Sequence, residues 1–444
     1  MKQEKDKLGE ITMEKEATQE IRELSKEEKE IERKKKNNIK LYPIYRIFSW
    51  DLLFYYAIIY LFLTVEKGIS PADVLKFDAF YILFKFLMQI PCTLLIQKIG
   101  KRKSLILANF VLAIHILVIM FAINFKMLLV SQLLCAFSFI IKATCESDML
   151  YDSLEHGEKR GTTFAKIDGR ANSIYYYIDA VSSVLSGFLF VVNSYIPMIL
   201  CFITLLFTLW LSTRFEEIHA EKGKMHIREE VKNIKYGFRN IFKSKRLKSL
   251  LIFNAIFVAL IKILQNLRNT VLIEIGMPEQ YFGIIFAVLG IISGIAAKNQ
   301  GKFHKKYRNK TLMFLSIPTA FSCLMICAIL LCDFEVSVKT LLILILFVVQ
   351  YIMKGPYFVL IKRYFNNFTN SEKRIKISTA NNLCENAIAS LLIFGASYIL
   401  DLIHIEYTMV IVGCIAIIGF VLLLDYMRET VGLKPEEYDK KEIL

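Results

Sequence analysis

The sequence predicts an all-α membrane protein with twelve transmembrane helices arranged as two six-helix pseudo-repeats. Three observations carry this. Apolar residues make up 55% of the 444-residue chain and aromatic residues 13%, with a mean hydropathy of +0.45; soluble domains run at roughly 45–50% apolar. The charged residues, 22% of the total, gather between long apolar runs. Those runs are continuous and about 20 residues or longer, the length a helix needs to cross a bilayer, and they lack the alternation of barrel strands.

The elements follow in order. Residues 1–41 form a charged Lys/Glu-rich tail ending in the basic run Arg33-Lys34-Lys35-Lys36, expected to be a solvated helix near lipid headgroups. No apolar core of the signal-peptide kind precedes the first span. Spans are expected near 42–66, 72–97, 103–123, 127–150, 166–192 and 195–214, then near 248–274, 279–300, 311–332, 338–363, 376–401 and 405–427. They divide the chain into a first half, 42–214, a linker, 215–247, a second half, 248–428, and a tail, 429–444.

Loop charge sets the orientation. Alternate loops are basic, with Lys98, Lys101, Arg102 and Lys103 after span 2, Lys159 and Arg160 after span 4, Lys302, Lys305, Lys306, Arg308 and Lys310 after span 8, and Lys373, Arg374 and Lys376 after span 10. The intervening loops are short and poor in Lys and Arg. Excess positive charge stays cytoplasmic, so both termini and the linker are expected on the cytoplasmic side of the cell membrane. The segment Gln97 to Leu105 aligns with His304 to Leu312. Two halves of matching length with a matched landmark indicate duplication of a six-helix unit.

Composition also excludes classes. The net charge of +15 sits between apolar runs, where anionic lipid accounts for it, and no nucleic-acid partner is expected. The nine cysteines lie almost entirely inside apolar runs, with no CxxC and no zinc spacing, and read as small packing residues. No phosphate-binding loop, HExxH or GxSxG occurs, so the chain is not expected to be an enzyme or an ATP-driven pump, and no cofactor or metal is called for. His115, alone on an apolar helix, reads as structural.

Charges inside spans are the informative residues, because lipid cannot solvate them. They are Asp51 in span 1, Lys85 in span 2, Lys142 and Glu146 one turn apart in span 4, Asp179 in span 5, Lys262 and Arg268 in span 7, Lys354 in span 10 and Glu385 in span 11. Lys142 and Glu146 are placed to neutralise each other. Asp148 and Asp152, near the end of span 4, read as gate or loop contacts. Polar stripes run through Asn172, Tyr176, Asp179, Ser183 and Ser186, and through Ser378, Asn382, Glu385, Asn386 and Ser390; such faces turn toward a cavity or another helix. Trp50, Tyr55 and the run Tyr175-Tyr176-Tyr177 offer stacking surfaces. Gly355-Pro356 weakens span 10, either beside a binding site or as a packing kink.

The six-plus-six plan with a long middle loop resembles the major facilitator superfamily of secondary transporters. Gly100-Lys101-Arg102-Lys103 looks like the basic end of that family's signature loop, which carries an acidic residue where this chain has Gln97 and, in its second copy, His304. Glu146 to Leu154, followed by Gly169-Arg170, is similar to a bacterial drug-efflux-like subgroup. The resemblance implies that spans 1, 4, 7 and 10 line a central cavity. It makes Lys262, Arg268 and Lys354 cavity residues; with the stacking residues Trp50 and Tyr55 and with Asp179 they are the candidate substrate contacts, and the intramembrane charges Asp51, Lys85, Lys142, Glu146 and Glu385 are the candidate proton-coupling or gating groups. The resemblance also brings spans 2 and 11 together, so that Lys85 and Glu385 are expected to form a charge lock between the halves.

The expected function is alternating-access transport by a monomer in the lipid bilayer, exporting a small organic molecule or drug by proton antiport. The alternatives are uptake of a small organic anion, suggested by Lys262, Arg268 and Lys354, and a transporter-like sensor or scaffold without flux.

Overall fold

The structure is a computed structural model and describes residues 28–155, 160–218, 227–307, 310–367 and 374–430. The loop cations Lys159, Arg308 and Lys373, most of the N-terminal tail and the tail after Thr430 lie outside these residues. The described chain is helical almost throughout, with no strand among the described residues. Eleven helices are long and apolar enough to cross a membrane. They are α3 (Pro71–Ile99), α4 (Lys101–Met120), α5 (Phe125–Ser153), α6 (Arg160–Val192), α7 (Tyr195–Thr213), α9 (Lys245–Glu274), α10 (Gln280–Lys298), α12 (Thr311–Leu331), α13 (Val336–Asn367), α14 (Arg374–Leu402) and α15 (Ile405–Thr430). Outside this set, beside the helices of the first crossing, lie α8 (Ile227–Lys243) between α7 and α9 and α11 (Gln300–Tyr307) after α10.

The twelfth crossing, the first in the chain, is discontinuous. A helix α1 over residues 28–49 runs across the boundary expected at residues 41 and 42 and stops at Ser49. Turns occupy residues 50–58, with Phe54 at a positive φ of 65°. A short helix α2 (Ile59–Leu61) then continues into a π-turn over Phe62–Glu66. The expected unbroken helix over 42–66 is therefore corrected. Three bonds satisfy the freed backbone. Lys142 Nζ donates to the Ser49 carbonyl at 2.8 Å, Ser186 Oγ donates to the Phe54 carbonyl at 3.2 Å, and the Asp51 carboxylate accepts from the Leu52 N–H at 3.0 Å. Unpaired backbone groups at membrane depth are tolerated only where protein or a water-filled cavity takes them up.

Span 10 behaves in the opposite way. α13 runs unbroken through Gly355-Pro356. A Cβ at Gly355 would sit 2.2 Å from the Ser293 carbonyl of α10, so this glycine serves close backbone approach between helices.

Local signals start several helices. Ser70 accepts from the Asp73 N–H with Pro71 at the first helical position, Asn124 accepts from the Met127 N–H, and Ser244 accepts from the Leu247 N–H. These side chains take up N-terminal donors left without helical partners.

Packing repeats between the halves. In the first, α4 packs on α5, α3 on α5, and α4 on α7; in the second, the equivalents α12 on α13, α10 on α13, and α12 on α15 do the same. Across the halves α3 meets α14 and α6 meets α10. The cross-half contacts of named side chains lie toward the helix ends on the face opposite α1. Tyr60 and Thr270 hydroxyls are 2.5 Å apart, Asn266 Nδ2 donates to Asp78 at 2.9 Å, Lys76 pairs with Asp401 at 2.5 Å, and Phe80 meets Phe394 edge-on. Gly187 and Gly283 bring α6 and α10 into backbone contact there: a Cβ on Gly283 would lie 2.0 Å from the Ser183 carbonyl. The halves are latched on one face.

Candidate functional site

In the first half, the end of α1 meets α5 and α6 around one buried carboxylate. Glu146, 2% exposed, accepts from Tyr45 at 2.9 Å and from Ser49, and pairs with Arg46. Arg46 also reaches Asp168 at 3.2 Å, which accepts from Tyr42 at 2.7 Å and from Asn172 at 3.1 Å. Asn109 donates to the Tyr45 hydroxyl. Lys142 lies 3.9 Å from Glu146; its short bond is to the Ser49 carbonyl. The expected neutralisation of Lys142 by Glu146 is thus a minor contact, because Arg46 and two hydroxyls occupy the carboxylate. Arg46 lies 4.1 Å above the Trp50 ring, which meets Tyr175 and Tyr176. Trp50 therefore covers this network.

The second half presents cations without counter-ions. Arg268 is 5% exposed. Its Nη1 donates to the Tyr351 hydroxyl at 2.6 Å, and its Nε has no partner. Its guanidinium lies over Phe286 and Tyr351, and Lys354 Nζ lies 4.9 Å from the Tyr351 ring. No carboxylate pairs with Arg268, Lys354 or Lys262 among the described residues. A cavity of about 10 Å³ adjoins them, lined by Gln265, Arg268, Gln350, Tyr351 and Lys354 among others; it has room for about one water. Gln350 is fixed by its bond to Ser322 at 2.8 Å.

Asp51, Lys85, Lys354 and Tyr351 are half-buried, and Tyr56 is 47% exposed. Asp51 lies in electrostatic range of Lys142 and Lys262, Lys85 of Lys262, Glu385 and Asp51, Lys354 of Arg268 and Lys262, and Asp179 of Asp51.

Three expected residues take other positions. Lys85 and Glu385 share a field but form no ion pair among the described residues. Lys85 Nζ sits 5.5 Å from the Tyr81 ring, and Glu385 accepts from Asn254 at 2.6 Å on the neighbouring α9, where Tyr357 also bonds Asn254. Tyr55 is 5% exposed and packs against Tyr56 and His115, inside its own half. His115 bonds the Ser131 carbonyl at 2.8 Å.

The signature loop is tied to the start of the linker. Gly100 has φ 87°, a left-handed conformation that suits glycine. Glu217 caps α4 by accepting from the backbone N–H of Lys101 and Arg102 at 2.9 and 3.0 Å. Lys101 Nζ pairs with Asp152 at 2.6 Å and Asp148 at 3.5 Å, Arg102 reaches the Thr213 carbonyl, and Lys103 is exposed.

Sequence reasoning missed Arg46, Asp168 and Asp78, although each is a charge inside an expected span. It missed Glu217 because capping of a distant helix leaves no local pattern.

Known proteins share this architecture at low identity. The nucleoside transporter NupG superposes with a TM-score of 0.69 at 10% identity, over 89% of this chain and 99% of that one. A POT family transporter in complex with a thioalcohol-conjugated peptide gives 0.66 at 13% identity, over 88% and 96%. The peptide transporter POT in complex with sulfate gives 0.63 at 10% identity, over 90% and 94%. No curated protein sequence shows significant similarity. The model of one family matches residues 44–333, about two thirds of the chain, and with the duplicated six-helix packing it establishes that this protein belongs to the Major Facilitator Superfamily.

Proposed function

We propose that the chain is an alternating-access secondary transporter whose substrate is a small organic molecule bearing an anionic group. One observation carries this reading: Arg268 is buried, has an unpartnered Nε and no carboxylate, and shares its surroundings with Lys354 and Lys262. A buried charge is expensive unless paired, and an anionic ligand in the central space supplies the missing partner. Charge-assisted bonds from a guanidinium suit carboxylate and phosphate groups. The aromatic surfaces of Tyr351, Phe286 and Tyr56 suit an organic body.

We read the cycle as export by proton antiport in a cell membrane, with both termini cytoplasmic. The support is the resemblance of Glu146 to Leu154 to an efflux-like subgroup, and the carboxylates Asp51, Asp179 and Glu385 bordering the central space. Latching of the halves on the face opposite α1 fits a substrate space that opens toward the linker face.

The test is flux into proteoliposomes of both orientations, with matched anionic, neutral and cationic organic solutes and an imposed pH gradient. Gradient-driven movement of anionic solutes, lost in Arg268→Ala and Lys354→Ala proteins that still insert, is the expected result. Transport of neutral or cationic solutes alone, unchanged in both variants, overturns the anion reading. Absence of flux for every solute favours a sensor.

A further inference from the structure

Among the described residues, α8 is a strongly amphipathic helix that is not a span. Its apolar stripe, Ile234, Phe238 and Ile241, recurs at i, i+4 and i+7 and is turned toward the protein: Ile241 is fully buried, Phe238 packs on the core, and the helix rests on α14 and α9. Lys232, Lys235, Arg239 and Lys243 recur at i, i+3, i+7 and i+11, so they share one flank, rotated by about 140° from the apolar stripe at about 100° per residue. All four are exposed, and none forms an ion pair or hydrogen bond among the described residues. Phe242, 58% exposed, lies between the two stripes. Asn233 and Asn240 occupy the remaining flank.

The setting gives this flank its chemistry. Lys243 lies two residues before the start of α9, whose membrane-crossing part begins at Leu247, so α8 lies where the chain enters the bilayer. From residue 232 to 248 the sequence carries Lys232, Lys235, Arg239, Lys243, Lys245, Arg246 and Lys248 and no acidic residue. A row of unpaired cations with an exposed aromatic at its edge, at the level of the headgroups, is complementary to anionic phospholipid.

We propose that the basic flank of α8, Lys232, Lys235, Arg239 and Lys243 with Phe242 at its margin, is a binding surface for anionic phospholipid headgroups. The helix binds lipid along this flank while its apolar stripe grips α14. Because α14 meets α3 across the two halves, bound lipid acts on an element that moves when the halves rock. This inference is independent of the substrate proposed above.

The test uses the full chain in phosphatidylcholine vesicles, with the exposed Cys332 and Cys414 replaced by Ser and a fluorophore on Phe242→Cys. Brominated phosphatidylglycerol is expected to quench the fluorophore more strongly than brominated phosphatidylcholine. The excess is expected to shrink with rising salt. It should fall by roughly fivefold per cation removed as Lys232, Lys235, Arg239 and Lys243 are changed to Gln, while Lys126→Gln on the opposite face leaves it unchanged. Equal quenching by the two lipids, or an excess that survives all four substitutions, overturns the proposal. Should the fourfold variant fail to fold, the salt titration of the labelled parent decides, and a salt-independent excess overturns it.

Discussion

The ammonium of Lys142 lies 2.8 Å from the carbonyl oxygen of Ser49, at the point where α1 stops. A cation at a helix C-terminus meets the negative end of the helix dipole and takes up a carbonyl left without a helical donor. The same bond satisfies a lysine that is only 1% exposed. Breaking span 1 and burying Lys142 are thus one arrangement, and it places Asp51 on non-helical backbone.

Glu146 is the centre of that arrangement. Glu146→Gln removes the carboxylate shared by Arg46, Tyr45 and Ser49, and breaking a buried pair typically costs about 3–5 kcal/mol. Thermal unfolding of the purified protein should show a clear loss of stability. An unfolding temperature equal to that of the parent would contradict it.

Arg268 should govern affinity more than folding. Hydrogen bonds to charged groups contribute about 1.5–3 kcal/mol, so Arg268→Gln is expected to weaken binding of an anionic substrate by roughly 10- to 100-fold. Tyr351→Phe, which keeps the ring and removes the hydroxyl, should have a smaller effect. Equilibrium binding by calorimetry distinguishes the two, and equal affinities in parent and Arg268→Gln would refute the assignment.

Closure of the face opposite α1 depends on Gly283. A side chain there meets the Ser183 carbonyl, so Gly283→Leu should push α6 and α10 apart and favour the state open on that face. A cysteine at Thr270, beside the Tyr60 contact, should then react faster with an impermeant thiol reagent. Unaltered reactivity would mean that the contact does not limit opening.

Glu217 should hold the signature loop in place. Glu217→Ala leaves the N–H groups of Lys101 and Arg102 without their acceptor. A lost cap costs about 1 kcal/mol, with a further dipole contribution of similar size. Hydrogen exchange at the first turn of α4 is expected to rise severalfold, while exchange in α12 stays as it was.

The spans were legible in the sequence because the length and continuity of an apolar run are set directly by the bilayer. The break in span 1 was not. Residues 50–58 contain no Gly or Pro, and the bonds that stabilise the irregular backbone come from Lys142 and Ser186 on other helices. Gly355-Pro356, the local signal that pointed to a break, lies in a continuous helix whose glycine serves interhelical contact. Lys262, Arg268 and Lys354 were picked out by charge, depth in their spans and family resemblance, and the structure sets Lys354 within electrostatic range of the other two. Depth along the helices brought Lys85 and Glu385 into one field, but Asn254 on the adjacent α9 gives Glu385 a nearer partner, which spacing along single helices does not reveal.

The first helix has a mechanical consequence. Residues 28–49 form one rod, about 33 Å long at 1.5 Å per residue, and its outer part stands clear of the first expected span. The Asn38 side chain donates to the Glu216 carbonyl and accepts from its N–H, and Arg33 and Asn37 donate to the Glu216 carboxylate. These ties make a fulcrum where α1 crosses the end of α7. A load on the outer arm is borne first at this fulcrum and then by Tyr42, Tyr45 and Arg46 on the Glu146 and Asp168 carboxylates, before it reaches the turns at 50–58.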